Sequence, residues 1–376
     1  MASLPAASNL RSLLLGAALA GAVVAAWSGS AHAARIAPEA GIQSTTGSLD
    51  RSILTATSSL SSAQQSQLQA FVDIWGGTLA DSTDQRRLDE ARRVLIDPLR
   101  DPASTAVFRR AISQLLIDRL EATIAGNDAQ RAIHAMQVVR FLRTPESVDV
   151  LTSRVSPERE SDVGKRLAAS SILASALSDA EIGQIQFDGA SRAIAAASER
   201  EENSLVLLQN LRALAAIQRR PNVPPASAEL ARITQVRVLR GLIASLAARS
   251  EADERMSVVN RALVALRNQW LEIARPDAAK LGPVLAPALG EVLEAAGKHW
   301  ESARRNESLR QTYAGAIASA ETLLRIIDRT ARPNEYRGQP EGEARVLEPA
   351  WQKGDRAAFD AELARWKTVL AAAPYR

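Results

Sequence analysis

The chain has 376 residues, 46% of them apolar, so it carries ample material for one large or two ordinary packed domains and does not read as a disordered chain. Its net charge of +4 is the small remainder of 46 Lys and Arg against 42 Asp and Glu, with no dominant basic stripe, which argues against a nucleic-acid partner. It has no Cys, which excludes disulfides, thiolate nucleophiles and zinc–thiolate sites; only 4% of residues are aromatic, so the core must be built of Leu, Ile, Val and Ala.

Residues 1–33 read as an address. Arg11 supplies a positive start, Leu13 to Ala26 an apolar run, and Ala31-His32-Ala33 a small-x-small cleavage pattern, so we expect a signal peptide cleaved after Ala33. The apolar run is shorter than the roughly 20 residues of a spanning helix, and no second run is long enough, so no integral membrane span is expected after cleavage. The mature chain is then periplasmic or secreted. Residues 34–61 are rich in Ser, Thr, Gly and Ala and read as a flexible leader.

Helices are expected from there on. The first runs from Ser62 to Trp75 and stops at Gly76-Gly77; the second runs from Asp84 to Ile96 and stops before Asp97-Pro98. Asp101-Pro102 starts the next, with the stripe Phe108, Ile112, Leu115, Leu116, Leu120 and Ile124. A helix over 128–143 has apolar residues on two sides, Ile133, Met136, Val139 and Leu142 against Val138 and Phe141, and so should be wrapped by neighbours. Thr144-Pro145-Glu146 caps a short helix, Ser156-Pro157-Glu158 opens one running to Leu177, and Ser178-Asp179-Ala180-Glu181 has capping-box spacing. A further helix covers 203–219.

The stretch Ala135 to Val148, reading AMQVVRFLRTPESV, followed by Leu167-Ala168-Ala169-Ser170-Ser171-Ile172-Leu173, resembles the helix-turn-helix units of HEAT-like repeats. Starts near Asp128, Asp162 and Asn203 are 34 and 41 residues apart, against a family period of about 40. The resemblance covers about 90 residues. It implies stacked antiparallel helix pairs with a concave binding surface, and no reaction.

Beyond Pro224-Pro225 the helices lengthen. One runs from Ala226 to Arg249 with Leu230, Ile233, Val236, Leu239, Ile243 and Leu246. The next, over 251–273, carries the clearest stripe of the chain, Met256, Val259, Leu263, Leu266, Trp270 and Ile273, and is expected to pack back on its predecessor. Pro283 and Pro287 predict a kink or restart before a helix to Trp300. Asn306 to Ile327 gives another stripe, and after a Gly- and Pro-rich loop over 330–343 Asp355 caps a last helix with Phe359, Leu363, Trp366 and Leu370. The organisation expected is thus a helical repeat-like region (62–220), a long-helix bundle (226–329) and C-terminal helices (344–376) in an all-α, α-solenoid-like (HEAT-like) array.

Chemistry is sparsely encoded. His134 and His299 lie in distant helices and read as structural; no Gly-x-Ser-x-Gly elbow or phosphate loop is present, and no metal or cofactor is expected. Asp73, Asp81 and Asp84 around Trp75 leave open a carboxylate-dependent glycoside hydrolase or polysaccharide lyase on a helical barrel. Arg212, Arg219, Arg220, Arg232, Arg237 and Arg240 leave open a patch for an anionic polymer or a membrane surface. Arg304-Arg305 reads as helix-end charge, and the sequon Asn306-Glu307-Ser308 as a cap. The reading that takes in the whole chain is an exported, non-enzymatic binding or scaffolding protein whose partner is another protein.

Overall fold

Leu, Ile, Val and Ala at spacings of three and four can be buried only helix against helix, and the chain does this throughout. A computed structural model describes residues 49–272, 275–336 and 345–375; the expected signal peptide, most of the leader, Ile273 and the second half of the Gly- and Pro-rich loop lie outside the described residues. Within them there are sixteen α-helices and no strand. They are α1 (Arg51–Leu54), α2 (Ser62–Asp81), α3 (Gln85–Arg100), α4 (Ala106–Ala125), α5 (Ala129–Leu142), α6 (Pro145–Ser153), α7 (Val163–Asp179) and α8 (Gln184–Arg200). There follow α9 (Ser204–Arg219), α10 (Pro225–Ala248), α11 (Met256–Glu272), α12 (Arg275–Lys298), α13 (Trp300–Arg304), α14 (Glu307–Ala331), α15 (Leu347–Lys353) and α16 (Arg356–Leu370).

The helices alternate between two layers. In one, α2, α4, α6, α8, α10, α12 and α16 each pack on the next; in the other, α3, α5, α7, α9, α11 and α14 do the same, and most successive helices also pack across the layers. This is a solenoid-like arrangement of the helix packing. Asp128, Asp162 and Asn203 are the N-caps of α5, α7 and α9, three consecutive members of one layer, so the spacings of 34 and 41 residues each measure one helix pair. Residues from Leu49 onward form one compact unit around one continuous apolar core.

Several charged groups inside this core are paired, although Ser170 Oγ and Asn210 Oδ1 are buried without a hydrogen-bond partner. Arg166 on α7 makes a two-pronged contact with Glu201 after α8, at 2.7 and 3.1 Å, and both side chains are buried. Glu321 on α14, fully buried, accepts the amides of Val346 and Leu347 at 2.7 and 3.1 Å as well as the Arg325 guanidinium at 2.9 Å, so it seats the start of α15. Asp328 accepts from Arg332 and from the hydroxyls of Tyr336 and Tyr375. The scarce aromatics gather at this end: Trp351 stacks 5.9 Å from Tyr313 and meets Trp300 edge-on at 4.8 Å, with Phe359 beside both Trp300 and Trp351. Helices α15 and α16 thereby close the C-terminal edge of the array, which a stack of repeats otherwise leaves apolar.

Several expected boundaries shift. The leader read as running to Ser61 ends in ordered structure, with α1 and the buried side chains of Ile53, Leu54 and Leu60. Helix α2 runs through Gly76-Gly77 to Asp81: a Cβ on Gly76 would lie 3.1 Å from Leu116, so this glycine permits a close approach to α4 and is not a stop. Helix α3 takes Pro98 inside, and α4 starts at Ala106 under a Thr105 cap and not at Asp101-Pro102. Ser156-Pro157-Glu158 is a turn ahead of the Asp162 cap. Ser178 opens no helix; it lies within α7 and donates to the Ala174 carbonyl, while α8 begins after Gly183.

Two corrections concern the long helices. Pro283 and Pro287 both sit inside an unbroken α12. An interior proline costs roughly 3 kcal/mol, but Leu281, Leu285, Leu289 and Val292 are buried on the same helix and each contributes about 1.5–3 kcal/mol. Helix α11 packs chiefly on α14 and only lightly on α10, because its stripe meets that of α14, where Ser319 donates to Asn260 at 2.7 Å.

Candidate docking groove

The histidines and two of the acids singled out in the sequence hold structural positions, while Asp81 is exposed at the end of α2. His134 is buried on α5, and burial, with Arg92 nearby, holds its imidazole below the ordinary histidine value. His299 is fully buried between α12 and α13; its Nε2 lies 3.0 Å from the Arg249 carbonyl and so carries the proton, leaving Nδ1 to accept from the Tyr313 hydroxyl at 2.9 Å. Asp73 pairs with Arg119 at 3.2 Å and Asp84 caps α3. Asn306 caps α14 through the amides of Ser308 and Leu309. Arg304 lies over the Trp300 ring at 5.2 Å and Arg305 pairs with Glu251.

The six arginines are not brought to one place. Arg212 and Arg219 are exposed on α9, the first 3.4 Å from Gln209 and the second donating to its own helix at Ala215. Arg220 donates to the Leu177 carbonyl and lies 5.2 Å over the Phe187 ring. Arg232 is held by Glu229 at 2.6 Å. Of the six, Arg237 and Arg240, on α10 in the other layer, line one groove.

That groove, of about 1550 Å³, runs along the α10 face of one layer. Its floor is α10; the last turn of α8 and the residues after it form one wall, α12 and α16 the other. The register follows from two contacts. Arg240 bonds Glu291 at 2.6 Å and Lys298 donates to the Ala247 carbonyl, so seven residues along α10 match seven along α12 and the two helices run parallel. On the floor, Arg237, Gly241, Ala244 and Ala248 recur at helical spacing, all exposed. Ile233 and Val284, 40% and 43% exposed, face the groove from α10 and α12.

Charge lines the walls in both signs, with eight basic and six acidic side chains. Most are spent within the fold. Arg240 and Glu291 tie α10 to α12, and the bond from Glu291 raises the Arg240 guanidinium further above its usual value. Lys367 and Glu294, 3.6 Å apart, tie α16 to α12, and Arg356 pairs with Asp360 at 2.7 Å while donating to the Gly297 carbonyl. Glu201 is committed to Arg166 and Arg255 to Asp253. Among the described residues, the lining charges left without a partner are Arg237, Glu199 and Glu202.

Sequence reasoning found the two groove arginines but missed the walls, because residues from α8, α12 and α16 converge only after folding. One signal was present: Gly241, Ala244, Ser245 and Ala248 interrupt an otherwise charged face with small side chains. Fold and groove together define an all-α protein with solenoid-like packing and a charged concavity along one layer. No known family model matches the chain, and no curated protein matches it. No helix among the described residues is long and apolar enough to cross a membrane.

Proposed function

We propose that the protein is an exported, non-enzymatic binding or scaffolding module, its layers HEAT-like helix pairs and its groove the surface on which another protein docks in the periplasm or outside the cell. The observation that carries the reading is the groove. It exceeds the roughly 300–1,000 Å³ of ordinary small-molecule clefts, much of its floor is small and apolar, and most of its charges are spent on ion pairs and hydrogen bonds within the fold, as between α10 and α12 and between α12 and α16. Such a surface offers shape and area to a macromolecule and no converging reactive groups. Export rests on the amino-terminal apolar run and the Ala31-His32-Ala33 pattern.

The test is a pull-down with the full chain from the extracytoplasmic fraction, comparing the native groove with one filled by Gly241→Leu and Ala244→Phe. The reading expects partners retained by the first and lost by the second, and a mature chain beginning at Ala34. Identical partner sets would remove the groove from the account. Retention there with loss on changing Arg212 and Arg219 to Glu would move the surface to α9.

A further inference from the structure

The dimensions of the groove and its three unspent charges say what kind of segment fits it. Resting on the docking reading above, we propose that the occupant is a single amphipathic α-helix of a partner protein, of about 13 residues in contact, with an apolar stripe on the α10 floor. The flank facing α8 carries two basic residues one turn apart, and an acidic residue meets Arg237. A rod of helical width, ~10 Å, would fill a volume of 1550 Å³ over roughly 20 Å, or about 13 residues at 1.5 Å each.

The floor supports a helix over an extended strand or a loop. Gly241 lies in the interior of the 24-residue α10, where glycine is disfavoured by about 1 kcal/mol relative to alanine. A Cβ added there meets nothing within 4 Å, so the fold itself does not require the glycine. Gly77 and Gly189 share that freedom, but Gly241 alone of the three lines the groove. With Ala244 and Ala248 on the same face, it leaves a shallow trough between the Ile233 and Val284 side chains and the far end of α10, into which a facing helix can set its ridge. No strand among the described residues offers an edge to pair with, and the lining is helical apart from short connecting segments such as Glu201 and Glu202.

The charges set the partner's pattern. On the α12 and α16 side the ions are already paired, between helices or, for Arg356 and Asp360, along α16, so they present little net field to an occupant. Glu199 and Glu202, at the end of α8, and Arg237, on the floor, have no partner among the described residues and attract opposite charge from outside. A peptide that meets all three gains at each contact, and one with those signs inverted loses at each.

The probes are three synthetic, dye-labelled helical peptides with the same apolar stripe: one with two Lys and one Glu placed to match Glu199, Glu202 and Arg237, one with those three charges inverted, and one with its stripe scrambled. Titration into the full chain is followed by fluorescence anisotropy at low and at physiological salt. The proposal expects the matched peptide to bind at least tenfold more tightly than the inverted one at low salt, with a smaller ratio at high salt. In the triple variant Glu199→Lys, Glu202→Lys, Arg237→Glu the preference reverses; all three positions are exposed, and circular dichroism verifies the fold. Gly241→Leu with Ala244→Phe abolishes binding of either. Matched and inverted peptides binding within twofold, no binding of any peptide, or a preference unchanged in the triple variant each overturns the proposal. Loss of protein partners from the filled groove in the pull-down, alongside failure of every peptide, leaves docking in place and removes the helical occupant.

Discussion

Changing Glu321 to Gln should loosen one end of the molecule selectively. The carboxylate is fully buried, and its two oxygens serve four donors: the Arg325 guanidinium and the amides of Val346, Leu347 and Glu348. Glutamine keeps one oxygen and replaces the other with an amide nitrogen, which cannot accept. Leu347 and Glu348, both bonded to the second oxygen, then face a donor. Breaking a buried ion pair costs about 3–5 kcal/mol, but Arg325 retains Glu362 at 3.2 Å, so the loss falls toward the lower end. Hydrogen bonds to a charged group are worth roughly 1.5–3 kcal/mol each, and the two lines of reasoning converge on ~3 kcal/mol for Glu321→Gln and up to ~5 for Glu321→Ala. Urea unfolding gives the total. Amide exchange gives the location: protection of residues 346–353 should fall roughly a hundredfold, while that of α5, in the middle of the array, falls only as far as global stability does. A stability change under about 0.5 kcal/mol, or exchange that quickens in α5 and not in α15, would refute the claim that this carboxylate seats the cap.

Truncating Trp351 to Ala should cost about 3–5 kcal/mol, since it is fully buried between Tyr313, Trp300 and Phe359; a melting point unchanged within a degree would contradict this. Gly241→Ala should leave the fold intact and raise stability by up to ~1 kcal/mol, because nothing lies within 4 Å of the new methyl; destabilisation would show a contact unaccounted for. Burial and Arg92 hold His134 below its unfolded value of about 6.5, so unfolded chains take up a proton that the folded chain refuses. Stability should therefore decline as the pH falls from above 6.5 toward the lower folded value, and His134→Gln should flatten that slope in melting curves. Burial works to raise the Asp328 carboxyl, but the bonds from Arg332, Tyr336 and Tyr375 outweigh it and hold the group below its ordinary value. Its contribution is complete above roughly pH 4 and is lost as the pH falls toward the folded value; Asp328→Asn should remove that acid loss, as read by unfolding at pH 3 to 5.

The helices were legible because their information is local. Stripes such as Met256, Val259, Leu263 and Leu266 are buried as spacing requires, and the caps Asp128, Asp162, Asn203, Asn306 and Asp355 stand where short polar side chains precede apolar runs. Failures came where tertiary burial outweighed a local breaker. Gly76 serves close packing on α4, and Pro98, Pro283 and Pro287 are carried inside helices by the apolar residues around them. Partner choice was also hidden: adjacency in sequence suggested α10 for α11, whereas α14, some fifty residues on, supplies the complementary face. The groove was half legible. Arg237 and Arg240 fall on one helical face, but grouping them with Arg212, Arg219 and Arg220 ignored the two layers, Arg232 on the same α10 is held by Glu229 away from the groove, and Glu199, Glu202, Glu291 and Lys367 join the site only through the fold.

The central claim is that the α10 face of one layer is where this protein meets its partner. Site-specific photo-crosslinking tests it most directly, with the reactive side chain at Ala244 in the groove or, for comparison, at Arg212 on the other layer of the full-length protein in its own cells. The account predicts one discrete protein adduct from position 244 that vanishes when Gly241 is also changed to Leu, and none from position 212. Adducts from 212 alone, or equally from both positions, would contradict it.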